Sequence, residues 1–353
     1  MTWSILNAKR EFNRFAPEWN ALNARLHRGH PMLDSDFVGP LIDQFATGRE
    51  VLAILRRGLE LEAAIVLTRN RWRWQTFLPS QTQIGPALVS DAASLRALLK
   101  MLPYSALAID LLCQDPDYGP SFSEVDSSVH ESDAHATTLS ISLDGSFDDY
   151  WQARSRKLRQ NLRRSLRALS DASKVPELRI RTSPSEVELA LQTYAAIESS
   201  GWKGREGTAI QMRSAQGHFY ADMLRRLSSR GLASVCELLV GEQVAASQLM
   251  LHNAEMLITL KTTHDERFAS YSPGYLLDYL LLEREFGAKR FRFVEYYTNA
   301  SQELLRWGTE TRVISHQRLY CRPWVASAVR TYKRFRNRKG AMREEQPSVA
   351  MQD

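Results

Sequence analysis

The sequence predicts an α/β (α+β) protein of two tandem lobes, each a mixed, mostly antiparallel sheet flanked by helices. Three observations predict it. Short apolar runs with strand periodicity alternate with stretches of helical periodicity. The order of these elements over residues 51–112 recurs over residues 233–296. The 353 residues, 44% hydrophobic and 24% charged, have ordinary globular composition and suit two to three domains of roughly 100–200 residues each.

The elements follow in order. Val51 to Leu55 reads as an apolar strand, Arg57-Gly58 as a turn, and Leu61 to Leu67 as a second strand. Trp72 to Leu78 alternates like a half-buried third strand. Gly85-Pro86 punctuates the chain, Ala92 to Met101 is helical, and Ala106 to Leu112 is another strand. In the second half, Ala233 to Val240, Val244 to Leu251 and Met256 to Thr262 are strands. A helix follows from Ser272-Pro273-Gly274 to Phe286, and Phe291 to Tyr296 is the next strand. Gly58-x-x-Leu61-x-Ala63 recurs as Gly241-x-x-Val244-x-Ala246 at one common offset.

Between the halves, Gln114 to Ala136 is rich in Asp, Pro, Ser and His and reads as a linker or long surface excursion. Thr137 to Leu143 alternates like a strand. A long helix is expected from Phe147, capped by Ser146, to about Leu169. Ser183-Pro184-Ser185-Glu186 is a capping box opening a helix that ends at Gly201, and Ala215 to Ser229 is a further helix ending near Gly231. The tail after Arg338 is polar and reads as disordered.

Composition narrows the function classes. The three cysteines, Cys113, Cys236 and Cys321, are odd in number and far apart, so they build neither a disulfide framework nor a metal motif. Eight scattered His add no ligand spacing, and no metal is expected. Lys9, Arg10 and Glu11 interrupt the N-terminus before an apolar core develops, so it is not a signal peptide. No run reaches the ~18–20 apolar residues of a membrane span. The reading is a cytoplasmic protein, at most peripheral to the inner membrane. Neither a Walker loop nor a Gly-x-Ser-x-Gly elbow occurs.

The excess of 46 basic over 40 acidic residues is a mild +6, yet it is concentrated. Arg154, Arg156, Lys157, Arg159, Arg163, Arg164 and Arg167 have no acid among them, while Leu158, Leu162, Leu166 and Leu169 form the opposite stripe. A second set, Arg330, Lys333, Arg334, Arg336, Arg338 and Lys339, follows Trp324-Val325 and suits a membrane surface or a synthase partner. The sharpest local feature is Tyr271-Ser272-Pro273-Gly274, a strand-to-helix turn. Ser272 can cap, Pro273 is pre-set for helix entry, and Gly274 leaves the backbone open to a phosphate at the helix N-terminus, with Arg267 nearby.

Several segments together carry a family resemblance. They are Phe147-Asp-Asp-Tyr150-Trp151, Ser155 to Arg164, Glu198-Ser-Ser-Gly201-Trp202-Lys203-Gly204 with Gly207-Thr208-Ala209, Phe219-Tyr220, Glu237-Leu238 with Gly241 to Ala246, and Tyr271 to Gly274. From about Thr138 to Trp324 the chain resembles the C-terminal catalytic part of the GNAT acetyltransferase superfamily. It is most similar to the two-lobed cellulose-biosynthesis (CelD-like) bacterial group, with Fem-type aminoacyl transferases as distant relatives. The first half resembles that group's degenerate N-terminal lobe. The implied domains are residues 1–136, 137–325 and a basic tail, 326–353.

The resemblance implies acyl transfer from acetyl-CoA or another acyl-CoA to a small-molecule or glycan-precursor acceptor, with no metal. Leu260 and Thr262 would lie beside the pantetheine. Arg267, Tyr271, Ser272, Gly274 and Tyr275 would meet the pyrophosphate. Glu295 matches an acidic family position and would act as base, with Tyr296 or Tyr297 protonating the leaving thiolate. Glu237 is a second candidate base. Glu198, Trp202, Lys203, Arg159 and Arg163 are acceptor-side candidates. The chain departs from the family at the bulky residues between Arg267 and Ser272, and after Glu295, where the family's Gly and Lys are replaced. Two rival readings stay open: a Fem-type enzyme using aminoacyl-tRNA, the weaker partner, and a non-catalytic accessory protein of exopolysaccharide synthesis.

Overall fold

The computed structural model describes residues Thr2–Glu344, with side chains as far as Phe335. The first half contains β1 (Thr2–Asn7), α1 (Ala8–Glu11), α2 (Ala16–His27), α3 (Ser35–Phe45), β2 (Val51–Arg57), β3 (Glu60–Asn70), β4 (Arg73–Thr76), β5 (Ala87–Leu88), α4 (Ala92–Met101) and β6 (Ala108–Gln114). The second begins with β7 (His130–Ser142), α5 (Phe147–Gln152), α6 (Arg156–Asp171), β8 (Pro176–Arg181), α7 (Pro184–Ser200), α8 (Trp202–Arg205) and α9 (Ala215–Ser229). It continues with β9 (Ala233–Val240), β10 (Gln243–His252), β11 (Met256–His264), α10 (Pro273–Ala288), β12 (Phe293–Tyr296), β13 (Glu310–Tyr320) and α11 (Pro323–Glu344).

All the described strands join one mixed sheet, in the order β1-β2-β3-β4-β6-β13-β7-β12-β11-β10-β9-β8, with β5 attached to β3. The order is nearly a mirror. On one side β2, β3 and β4 run antiparallel and β4 pairs parallel with β6. On the other, β9, β10 and β11 run antiparallel and β11 pairs parallel with β12. Gly58 and Gly241, the repeated glycines, occupy the same place in both. Each turns a hairpin at positive φ, +62° and +66°, where a Cβ would be strained.

The chain's late strand β13 inserts at the centre. It pairs antiparallel with β7 over Glu310–Leu319 and with β6 over Ser315–Tyr320. The region read as a linker therefore ends inside β7, which starts at His130. The Asp and Ser composition hid a strand whose partner lies almost two hundred residues away. The expected helix from Phe147 to Leu169 is two helices. Ser155 adopts extended backbone and caps α6 by accepting from Leu158 N–H, ending the first turnset at Gln152. The Ser183–Glu186 capping box forms as read. Past Arg338, α11 continues to Glu344; the rest of the expected tail lies outside the described residues.

Two cores cover the C-terminal half-sheet. On one face Leu277, Leu281 and Phe286 of α10 pack on Leu238, Met250, Leu257 and Val294, together with Leu158 and Leu162 of α6. On the other face α7 and α9 meet α2 and α3 of the first half in a shared core. Phe37 of α3 meets Phe219 of α9 edge to face at 5.5 Å, both fully buried. A third core, under α4, fills the remaining face of the first half. Because sheet and core both cross between the halves, Phe219→Ala should cost about 3–5 kcal/mol. Denaturant unfolding should keep a single transition; two separated transitions would contradict the shared core.

Candidate functional site

β11 and β12 run parallel for three rungs only, Met256–Phe293, Leu257–Val294 and Ile258–Glu295, and then part. The parting coincides with a bulge. Thr259 pairs with Met250 and Lys261 with Leu249, leaving Leu260 as the extra residue on β11. Beyond it, Lys261 to His264 pair with β10 alone, so their other edge is free of strand partners. Free edge groups of this kind accept an extended ligand. β11 then leads into a 3-10 turn, Glu266–Tyr271, and into α10.

Ser272 opens α10 in the left-handed region, φ +50°, and its carbonyl accepts from both Tyr275 and Leu276 N–H. No atom lies within 4 Å of where a Gly274 Cβ would stand, so the helix start is open. The turn itself is nearly charge-neutral. Arg267 is bound to Asp265 at 2.6 Å, and Glu266 to Arg205 at 3.0 Å. Additional positive charge comes from Lys174, which lies 5.7 Å from the rings of both Phe268 and Tyr271. An open helix start beside exposed cations fits a phosphate.

Glu295 is the last residue of β12 paired with β11, and its side chain points between the two halves of the molecule. Only 3% of it is exposed. Arg312 of β13 holds it with two hydrogen bonds, 3.1 and 2.8 Å. The same guanidinium also holds Asp115, at the end of β6, through Nε and Nη2. Tyr297 donates to Asp115 at 2.8 Å and meets Arg312 Nη2 at 3.1 Å. His30 completes the cluster. Its Nδ1 accepts from Met32 N–H, which leaves the Nε2–H to donate to Tyr297 Oη at 2.9 Å. Burial pushes the Glu295 carboxyl up to about 7, because its one counter-charge, Arg312, is shared with Asp115. Burial also lowers His30 to about 3, so it stays neutral. Beside Glu295 opens a polar cavity of about 360 Å³, with Arg28, Arg292, Asp117 and Glu310 around its mouth and Ser140 on its floor.

The other residues singled out in the sequence fall into four places. Glu198 is buried on α7, with Lys203 at 2.8 Å, Lys261 at 3.2 Å and Ile210 N–H at 2.8 Å. Burial opposes ionisation there, but these three donors hold its carboxyl below the usual range. Trp202 N–H donates to Glu266, which ties α8 to the turn after β11. Leu260, Lys261, Glu198, Trp202 and Lys203 thus lie together along the free end of β11.

Tyr296 and Thr262 face the other side of the sheet. Tyr296 donates to Asp278 of α10 at 3.3 Å, and Gln248 donates to both Thr262 and Asp278. Burial raises Asp278 to about 6. Tyr275 donates to Glu303 at 2.9 Å near the start of α10. Glu237 is not brought to this site. It lies on β9, two strands beyond β11, and is held by Arg179 and Arg181 of β8 at 2.9 and 3.3 Å. Arg159 and Arg163 lie on α6, where Arg159 bonds to Gln152 and Arg163 is exposed.

Sequence reasoning missed Arg312, Asp115 and His30. The available signal was slight: in Glu310 to Ile314 the burial alternates, with Arg312 and Ile314 inward. Spacing also gave no hint that Cys113, His135 and His316 converge, with candidate ligand atoms within 4.8 Å. His316 Nδ1 already accepts from Cys113 N–H at 3.0 Å, so the cluster is joined by its own hydrogen bond.

Three comparisons bear on this arrangement. Residues 156–302 match the acetyltransferase (GNAT) domain family. No curated protein sequence matches the chain. Among solved structures, FemX aligns at TM-score 0.56 and 11% identity, over 88% of this chain and 97% of that one. A conserved protein of unknown function from Bacteroides thetaiotaomicron aligns at 0.58 and 10%, over 87% and 97%. A C-terminal domain assigned to a lysylphosphatidylglycerol synthetase of Agrobacterium fabrum aligns at 0.56 and 10%, over 90% and 96%. At these identities the likeness is one of fold. The GNAT segment spans α6 to the loop after β12, so it contains the bulge, the parting, the open helix start and Glu295. The chain therefore has a GNAT-like fold.

Removing Arg312 leaves Glu295 and Asp115 buried without their counter-charge. Arg312→Ala should cost about 3–5 kcal/mol. Because Glu295 titrates high, its neutral form stabilises the fold below about 4.5, and that contribution is lost as pH rises through about 7. Urea unfolding should therefore show a larger loss for Arg312→Ala at pH 8 than at pH 5; an equal loss at both would disprove the shared-charge account.

Proposed function

We propose that the protein is an acyl-CoA-dependent acyltransferase with its reaction centre at the parting of β11 and β12. One observation carries the reading. Glu295 is at once the last rung before the strands part and the wall of the polar cavity between the two halves. The pantetheine of the donor would run along the free edge of β11 past Leu260, with its phosphates at Ser272–Gly274 and Lys174. The acceptor, an amine or hydroxyl of a polysaccharide precursor or related cell-surface metabolite, would enter the cavity.

In this scheme the acceptor attacks the thioester carbonyl, the C–S bond breaks, and the acceptor's proton passes to Glu295. A carboxyl near 7 is matched to that task at neutral pH. Positioning supplies much of the rate, as for any two reactants held together. Tyr296, one residue on, faces the opposite side of the sheet and is bound to Asp278, so the scheme assigns it no part in protonating the thiolate. Acetyl is the favoured acyl group. Tyr297 and His30 touch no reactant in this scheme and act as positioning residues for Glu295, as does Arg312, which also lines the cavity.

Calorimetry should show acetyl-CoA binding to the wild type and at least tenfold weaker binding to Gly274→Trp. That change covers the helix start without a clash at Cβ. A wild type that binds no acyl-CoA would remove the donor assignment. Glu295→Gln should lower kcat about 10²–10⁴-fold and abolish the rise of kcat through pH 7; an unchanged profile would take the base role from Glu295. CoA binding without turnover on any amine or sugar would favour the accessory-protein reading.

A second reading, transfer from an aminoacyl-tRNA, is favoured by α6. Arg156, Lys157, Arg163, Arg164 and Arg167 are all exposed there and form no ion pair among the described residues. Lys174 links the end of this helix to the turn after β11. A tRNA donor would show a steep decline of affinity with salt, and transfer would need the aminoacylated form.

A further inference from the structure

The face opposite the candidate site, around the start of α11, is built differently. Between α4 and the β13–α11 junction opens a cavity of about 600 Å³. Its floor is apolar: Leu99, Leu102 and Val129 are all buried. Its rim carries Arg96, Lys100 and Arg322, all exposed and none in an ion pair among the described residues. The one acid there, Asp126, already accepts from Ser128 N–H and hydroxyl at 2.8 and 2.6 Å.

Exposed apolar side chains surround that rim. Met101 follows Lys100 and is 49% exposed; Trp324 follows Pro323 and is 66% exposed. Tyr332 and Phe335, 68% and 62% exposed, lie eight and eleven residues beyond Trp324 on α11, which places all three on one helix face at 100° per residue. Val325 and Ala326 are buried, so they fix the helix to the body on its other side. Arg330 and Lys333, read from sequence as free cations, are instead held by Glu131 at 3.0 Å each, which anchors α11 further. Arg96, Lys100 and Arg322 thus bring positive charge to the cavity, while Arg330 and Lys333 are engaged with Glu131.

We propose that this face docks on a membrane leaflet containing anionic phospholipid, with one lipid headgroup in the cavity among Arg96, Lys100 and Arg322. Trp324, Tyr332 and Met101 would enter the interfacial zone. Charge complementarity singles out this occupant. A second copy would bring the same three cations against themselves, and a soluble anion would leave the aromatic row without a role. Trp and Tyr at the water–lipid boundary with basic residues beside them are the composition such docking needs.

The test is co-sedimentation of the full chain with phosphatidylcholine vesicles, with and without phosphatidylglycerol. Binding is expected only when the anionic lipid is present and should weaken with salt. Replacing Arg96, Lys100 and Arg322 together by Gln should lower partitioning about 100-fold, and Trp324→Ser about tenfold. All four side chains are exposed, so circular dichroism and the melting temperature should stay at wild-type values and acyl-CoA binding should persist. Equal partitioning to both vesicle types, or wild-type partitioning of the triple variant, would overturn the proposal. So would a concentration-dependent dimer, abolished by Trp324→Ser, with no vesicle binding.

Discussion

The pairing of β13 with β7 and β6 is the constraint on which the rest of the structure depends. Without it the two half-sheets would be separate sheets, each with an open edge at its middle. β13 joins them and also delivers Arg312, whose guanidinium binds a carboxylate from each half, Asp115 and Glu295. One backbone pairing thus sets the reach of one cation. That cation fixes where Glu295 points and how readily it gives up its proton. The cavity beside it is lined by residues of both halves, among them Arg28 and Tyr118 of the first and Ser140 and Glu295 of the second.

The near-mirror order of the strands exposes a second carboxylate in an equivalent place. Asp110 is the third rung of the parallel pair β4–β6, as Glu295 is of β11–β12. Each also bonds to an arginine of β13, Arg318 for Asp110 and Arg312 for Glu295. The two then diverge. Asp110 has a second arginine to itself, Arg73 at 2.8 Å, and does not line the cavity between the halves. Glu295 shares its single arginine and faces that cavity. The near-mirror sheet thus carries an acid at the same rung in both halves, under-neutralised in one.

Much of the fold was legible in the sequence because its strands and helices are locally consistent. α4 and β9 begin and end where apolar period and turn residues place them, and the capping box at Ser183 forms as read. What was not legible depends on distant partners. The first part of β7, His130 to Ala136, looks like a polar linker because its residues are exposed or half-buried and pair with the distant β13, which carries charged residues inward to the cluster. The site shows the same division. Glu295 and the Tyr271–Gly274 turn are local signals, whereas Arg312, Asp115 and His30 gain meaning only when three remote segments meet. Glu237 illustrates the converse: a mid-strand acid stood out in sequence, and two neighbouring arginines on β8 account for it.

The central place of β13 also sets an order of events during synthesis. Residues 310–320 leave the ribosome after every other strand of the sheet has been made. Until then the inner edges of β6 and β7 are bare, and the chain carries two incomplete half-sheets with apolar faces. Closure then requires contacts spanning almost two hundred residues, a slow class of pairing. The nascent chain is thus most prone to join edge-to-edge with a neighbour just before its last strand arrives.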